Sequence, residues 1–186
     1  MNRGELRTKY GKPVERFAWR KTDSFTALVC TFFGSGMLPK MPGTYGSLAA
    51  AIVAYPLALL GSAFWPSRFE AYGFFLVAAI FVFFGAVPFV KKAMRDTGTE
   101  DPGWIVIDEV SGLWMALAGI STTSIEEHPW LLALAFALFR FFDILKPLGI
   151  HRLERLPGAW GVMADDLLGG VYAGMILFAL ERIFGL

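Results

Sequence analysis

A chain of 186 residues with 55% hydrophobic and 16% aromatic side chains is more apolar than soluble domains, which run at roughly 45–50% apolar. With a mean hydropathy of +0.52 it points to a polytopic helical membrane protein. A net charge of +1 excludes the basic surface that nucleic acid requires, and Cys30, the one cysteine, permits no internal disulfide and has no metal-ligand spacing.

The first 24 residues carry seven Lys or Arg and read as a basic cytoplasmic tail; they are too long and mixed for a signal-peptide n-region and no A-x-A-like cleavage site follows, so the segment is expected to be retained. Residues 25–186 read as one helical domain. The apolar run Phe25 to Phe33 is too short to cross a bilayer, and Gly34, Gly36, Pro39, Pro42, Gly43 and Gly46 interrupt any helix after it, which suggests an interfacial or re-entrant segment.

Hydropathy then predicts about five transmembrane helices, at Ser47 to Trp65, Tyr72 to Val90, Trp104 to Ile120, Trp130 to Leu145 and Leu167 to Phe184, each close to the roughly 20 residues that cross ~30 Å of hydrocarbon. Nearly all Lys and Arg fall in the N-terminal tail, at Lys40, after the second run (Lys91, Lys92, Arg95) and after the fourth (Lys146, Arg152, Arg155), against Arg68 alone in the opposite connections. The positive-inside rule therefore puts the N-terminus in the cytoplasm and, for an odd number of crossings, the C-terminus across the membrane. Trp104, Trp130 and Trp160 read as interfacial anchors, the Phe-rich stretches as lipid-facing or core surface, and His128 and His151 as solvated loop residues.

On this topology the acids collect. Asp108 and Glu109 lie early in the third run, Asp143 lies late in the fourth with Arg140 and Lys146, and Asp165 and Asp166 open the fifth, so five carboxylates from three helices share one depth on the cytoplasmic side. Glu126 and Glu127 fall on the opposite side. A carboxylate costs at least ~2.5 kcal/mol at the bilayer centre and is kept where it is paired or coordinated. Simpler roles compete: an ion pair of Asp143 with Arg140 or Lys146, helix capping by Asp165 or Asp166, or neutral, protonated carboxyls at Asp108 and Glu109. Gly170 and Gly174 form a small-xxx-small pair that, with Gly169, Ser111 and Gly112, permits close helix packing and would bring the acids of the third and fifth runs together.

The loop "GSGMLPKMPGTYGSLAA" lies on the same side. Its glycines allow backbone N–H groups to face an anion, Lys40 supplies a charge, and Thr44 and Ser47 supply hydroxyls near a helix start. Clustered oxygen ligands without His or Cys suit Mg²⁺, which shares its shell with substrate phosphate.

Together "GSGMLPKMPGTYGSLAA", "WIVIDEVSGLW", "FRFFDILKPLGIHRLE" and "GAWGVMADDLLGGVYAG" resemble the phosphatidylglycerophosphatase A family, in one order from about Phe33 to Gly174. The resemblance implies a Mg²⁺-dependent lipid phosphatase of the bacterial inner membrane, converting phosphatidylglycerophosphate to phosphatidylglycerol and phosphate. The family's polar motif residues fall on Lys40, Thr44, Asp108, Glu109, Asp143, Lys146, Asp165 and Asp166. On this reading Asp108, Glu109, Asp165 and Asp166 hold metal; Lys40, Thr44, Ser47, Arg140 and Lys146 face the phosphate; and Asp143 orients Lys146, completes the metal shell or acts as base. Either water or an aspartate attacks phosphorus. The alternative from another class is a cation- or proton-coupled transporter using the intramembrane carboxylates, against which stand the one-sided acids and the lack of an internal repeat. A histidine phosphatase is disfavoured by two dispersed histidines, and a cysteine phosphatase by the absence of a C-x5-R loop at Cys30.

Overall fold

The computed structural model describes residues 5–7, 13–15, 18–64, 68–147, 149–153 and 156–185. Within the basic tail, β1 (Glu5–Arg7) pairs antiparallel with β2 (Pro13–Glu15), with Leu6 opposite Val14. Among the described residues everything else regular is helical: two short 3-10 helices (Ala18–Lys21 and Ser35–Met37), and α1 (Ser24–Cys30), α2 (Pro42–Phe64), α3 (Arg68–Thr97), α4 (Ile107–Leu117), α5 (Thr122–Glu127), α6 (Trp130–Leu145), α7 (Ile150–Leu153) and α8 (Ala159–Phe184).

The short run from Phe25 is α1, capped by the Asp23 side chain, which accepts from the Thr26 N–H at 3.0 Å. The Lys92 ammonium, 2.7 Å away, and then Thr26 hold the Asp23 carboxyl well below the usual carboxylate range. Thr22 donates to Asp96 at 2.6 Å, and the Phe25 ring meets Phe89 edge-on at 5.5 Å, so α1 is fastened to the C-terminal part of α3.

Among the described residues, three segments are long and apolar enough to cross a membrane: Pro42–Phe64, Tyr72–Thr97 and Ala159–Phe184. The third and fourth runs differ from that pattern. Instead of a helix from Trp104, the chain stays irregular until Val106, whose N–H donates to the Cys30 carbonyl at 2.8 Å, and α4 has only 11 residues, ~16 Å of rise. Its course nevertheless parallels α2. A Cβ on Gly46 would meet Val106 and one on Gly61 would meet Thr122, so residues 106–122 cover the interval that α2 covers between those glycines. The 16-residue α6 returns to the starting end, where Arg140 approaches Thr44.

Two helix starts also differ from expectation. α2 begins at Pro42, ahead of Ser47, because proline at a first helical position gives up an N–H that is unpaired anyway. α8 begins at Ala159, eight residues before the hydropathy boundary, so Asp165 and Asp166 lie within the helix and do not cap it. Trp104 is a core residue at 5% exposure, whereas Trp130 and Trp160 are exposed as anchors would be. The Phe-rich surface of α3 divides: Phe75 and Phe83 face the core, Phe81 and Phe84 face outward.

α4 sits at the centre. Its indole Trp114 donates to the Ala50 carbonyl of α2 at 3.1 Å, and its most extensive contact is with α8. Small residues make that contact possible: a Cβ on Gly170 would run into the Gly112 carbonyl, one on Gly119 into the Gly174 carbonyl, and one on Gly112 would lie 2.7 Å from the Asp166 carbonyl oxygen. Apolar surface gives no drive to helix association in lipid, so this close backbone approach, with its dense van der Waals contact, holds the two helices together.

At the far end, Glu181 near the C-terminus of α8 is buried. Its Oε1 accepts from the Ser121 N–H at 3.1 Å and from the Ser124 hydroxyl, and its Oε2 from the Tyr72 hydroxyl at 2.5 Å. Ser121 in turn caps α5.

Candidate active site

Asp108 and Glu109 occupy the first turn of α4, where no side chain caps the helix and the dipole favours negative charge. Asp166 projects from α8, drawn in by the glycine contact between α4 and α8. One carboxylate oxygen from each of the three lies within 4.8 Å of the other two. Oxygens that share one Mg²⁺ at ligand distances near 2.1 Å lie no more than about 4.2 Å apart, so the three side chains would draw closer together to hold an ion. Asp108 is 5% and Asp166 1% exposed.

Whether a metal fits can be judged from the donors themselves. All three are hard oxygen ligands, with no His or Cys among them, and Glu109 Oε2 is buried with no hydrogen-bond partner among the described residues. Three carboxylates this close repel one another unless a cation or protons intervene. The residues fit a divalent hard cation.

α2 supplies the wall opposite. A Cβ on Gly43 would collide with Glu109 Oε1 and sit 3.3 Å from Arg140 Nη1, so only glycine lets the first turn of α2 approach the acid and the guanidinium together. Arg140 is held through Nη1 by Asp143 Oδ2 at 2.6 Å, an i,i+3 pair on α6, and its Nη2 reaches Thr44 Oγ1 at 3.5 Å. Its Nε has no hydrogen-bond partner among the described residues, which leaves donor capacity beside the acid cluster.

The remaining expected residues make the following contacts. Lys146 closes α6 as its C-cap in a left-handed conformation (φ 46°) and pairs with Asp165 of α8, both almost wholly buried. Asp165, expected as a metal ligand, and Lys146, expected on the phosphate, are thus bound to each other. Asp143 has taken the ion-pair role with Arg140. Ser47 is fully buried and donates to the Gly43 carbonyl at 2.8 Å, inside α2. Lys40 lies exposed on the loop before α2, also left-handed at φ 80°. Glu126 is at the opposite end, accepting from Ser62 at 2.5 Å.

Sequence reading missed two residues. Gly43 reads in the sequence as a helix breaker and as one of the loop glycines that let backbone N–H groups face an anion, and neither reading sets it against an acid. Glu181, a lone acid in the apolar stretch "LFALERIF", signalled a buried partner set that the far-end Ser121 and Ser124 provide.

Comparison with known proteins agrees with this geometry. The family model described as phosphatidylglycerophosphatase A matches residues 28–181, which include every residue of the site. The chain is 40% identical over 162 residues to a phosphatidylglycerophosphatase A of Haemophilus influenzae, covering 83% of this chain and 87% of that one. It is 33% identical over 152 residues to the Escherichia coli phosphatidylglycerophosphatase A, covering 81% and 80%. It is also 38% identical over 155 residues to a putative phosphatidylinositol-3-phosphatase of Bacteroides thetaiotaomicron, covering 83% and 92%. No solved structure matches the chain. With both ends of the motif series matched and relatives aligned over most of their length, the chain belongs to the phosphatidylglycerophosphatase A family.

Proposed function

We propose that this protein hydrolyses the phosphomonoester of phosphatidylglycerophosphate, releasing phosphatidylglycerol and inorganic phosphate at the cytoplasmic surface of a bacterial inner membrane. The observation that carries the reading is the convergence of Asp108, Glu109 and Asp166 beside Arg140, at one end of helices apolar enough to lie in lipid. A lipid phosphomonoester presents its phosphate at that depth while its acyl chains stay in the bilayer. The Lys and Arg distribution supports a cytoplasmic site, and the traverse of residues 106–122 and of α6 supports five crossings.

Asp108, Glu109 and Asp166 are the residues that would hold Mg²⁺. When bound, the ion supplies Lewis-acid polarisation of the phosphoryl group and neutralises its charge. Arg140, oriented by Asp143, donates to phosphate oxygens with the N–H groups the protein leaves unused, in the fork geometry that suits phosphate. Thr44 and Lys40 add a hydroxyl and a charge on the same side. Lys146 and Asp165 act one step back: their pair locks the end of α6 against α8 and so fixes where Arg140 and Asp143 point. Water attacks phosphorus, the bond from phosphorus to the glycerol oxygen breaks, and that oxygen leaves as the alcohol with a proton.

The relative named for a phosphoinositide gives a second lipid to compare. The purified chain in detergent micelles is offered phosphatidylglycerophosphate or phosphatidylinositol 3-phosphate, with EDTA or Mg²⁺. Phosphate release from the first lipid, dependent on Mg²⁺, is expected. Release from the phosphoinositide alone would move the substrate, and ion flux without phosphatase activity in liposomes would favour a transporter.

A further inference from the structure

Between α1 and α2 the backbone takes an unusual path. Phe32 (φ 42°), Phe33 (φ 56°) and Gly34 (φ 93°) are consecutive left-handed residues, and Lys40 is a fourth at φ 80°. For a bulky aromatic such as Phe33 this conformation is strained and persists only where surroundings over-determine it. They do: Phe33 N–H donates to the Leu28 carbonyl at 3.0 Å, Gly36 N–H to the Thr31 carbonyl at 3.0 Å, and Gly34 N–H to Thr31 Oγ1 at 3.1 Å. Phe32 turns inward onto the Trp114 ring, centroids 6.3 Å apart. A Cβ on Gly36 would collide with the Trp104 carbonyl, so the loop is also pressed against the entrance to α4.

The product of this strain is outward-facing apolar surface. Phe33 is 76% exposed, and Met37, Leu38 and Met41 are exposed with it, Lys40 standing among them. The surface continues onto α2 through exposed Leu48 and Ile52, on a helix apolar enough to lie in lipid. Within three residues of Met41 the chain reaches Gly43 and Thr44, against Glu109 and Arg140. Apolar side chains held outward on a hydrogen-bonded loop, continuous with a lipid-facing helix and carrying one exposed cation three residues before Gly43, match the chemistry of an anionic diacyl phospholipid: acyl chains for the apolar rim, headgroup for Lys40.

We infer that the loop Phe33 to Met41 is the lip against which the substrate's acyl chains lie, in the bilayer, as its headgroup enters the site, so that it selects lipid phosphomonoesters over soluble ones. This rests on the lipid phosphatase reading above. Phosphate release is measured from dioleoyl phosphatidylglycerophosphate in mixed micelles and from its water-soluble deacylated counterpart, for the natural chain and for F33S/M37S/L38S/M41S. The variant is expected to raise the KM for the diacyl substrate by at least about ten-fold while leaving the rate on the soluble one unchanged, because only the former loses apolar burial. Equal kinetics of variant and natural chain on the diacyl substrate overturn the lip. So does loss of self-association in the variant with unchanged lipid kinetics, which assigns the surface to a second copy. Failure of the natural chain on both substrates would instead defeat the phosphatase reading.

A second measurement stands without catalysis. An environment-sensitive fluorophore at Phe33→Cys, in a Cys30→Ala background, is expected to be quenched by lipids spin-labelled high on the acyl chain. Quenching by a water-soluble agent alone overturns the inference.

Discussion

Lys146 and Asp165 form an ion pair between the left-handed end of α6 and the second turn of α8, with side chains 4% and 1% exposed. Two charges are thereby removed from water at the point where the helices carrying Arg140 and Asp166 meet. Such a pair gives little net stability when complete, but breaking it strands a buried charge.

Lys146→Met is therefore expected to destabilise the protein by about 3–5 kcal/mol, measured as unfolding in detergent. The double variant Lys146→Met, Asp165→Leu should cost less than the single one. A double variant as damaging as the single would show that something other than the stranded carboxylate is responsible.

Gly170→Val tests the packing that assembles the acids. Its side chain has no room against the Gly112 carbonyl, so α4 and α8 must part and Asp108 and Glu109 draw away from Asp166. Displacements near 1 Å cost on the order of 10²-fold in rate. Loss of that size in a protein still helical by circular dichroism is expected; full activity would mean the glycine contact does not set the site.

Gly43→Ala pushes a methyl group onto the Glu109 carboxylate and toward Arg140. The Mg²⁺ concentration for half-maximal phosphatase activity should rise by about 10–100-fold, as when a supporting partner of a ligand is disturbed. Gly73→Ala, where nothing lies within 4 Å, serves as the control and should leave it unmoved.

Glu181→Ala addresses the far end. It removes the carboxylate to which the Ser121 N–H, the Ser124 hydroxyl and the Tyr72 hydroxyl donate, at about 1–3 kcal/mol for each donor left buried and unsatisfied. Thermal stability should fall while the rate of the folded fraction stays unchanged. A fall in that rate at full stability would link the two ends of the bundle.

Much of this was legible in the residues. The apolar runs identified the three long helices α2, α3 and α8, and the small residues Gly112 and Gly170 foretold the contact between α4 and α8. Helix starts were not legible. Hydropathy charges a full penalty for Asp165 and Asp166, although here the carboxylates face α4 and α6 instead of lipid, so α8 runs on through them to Ala159. Pro42 and Gly43 read as breakers because only the packed structure reveals that the first turn of α2 lies against Glu109. The partners of equivalent-looking acids were equally hidden. Asp165 and Asp166 are adjacent, but successive helical residues point about 100° apart, so one meets Lys146 and the other the acids of α4.

The most direct test of the central claim, that carboxylates of α4 and α8 act as one divalent-cation centre, is phosphate release from phosphatidylglycerophosphate by Asp108→Asn, Asp166→Asn and Glu126→Gln proteins, each verified as folded, across a Mg²⁺ titration. Both aspartate variants should lose essentially all activity at every Mg²⁺ concentration, and Glu126→Gln should match the natural chain. Full activity in Asp108→Asn and Asp166→Asn would contradict the account.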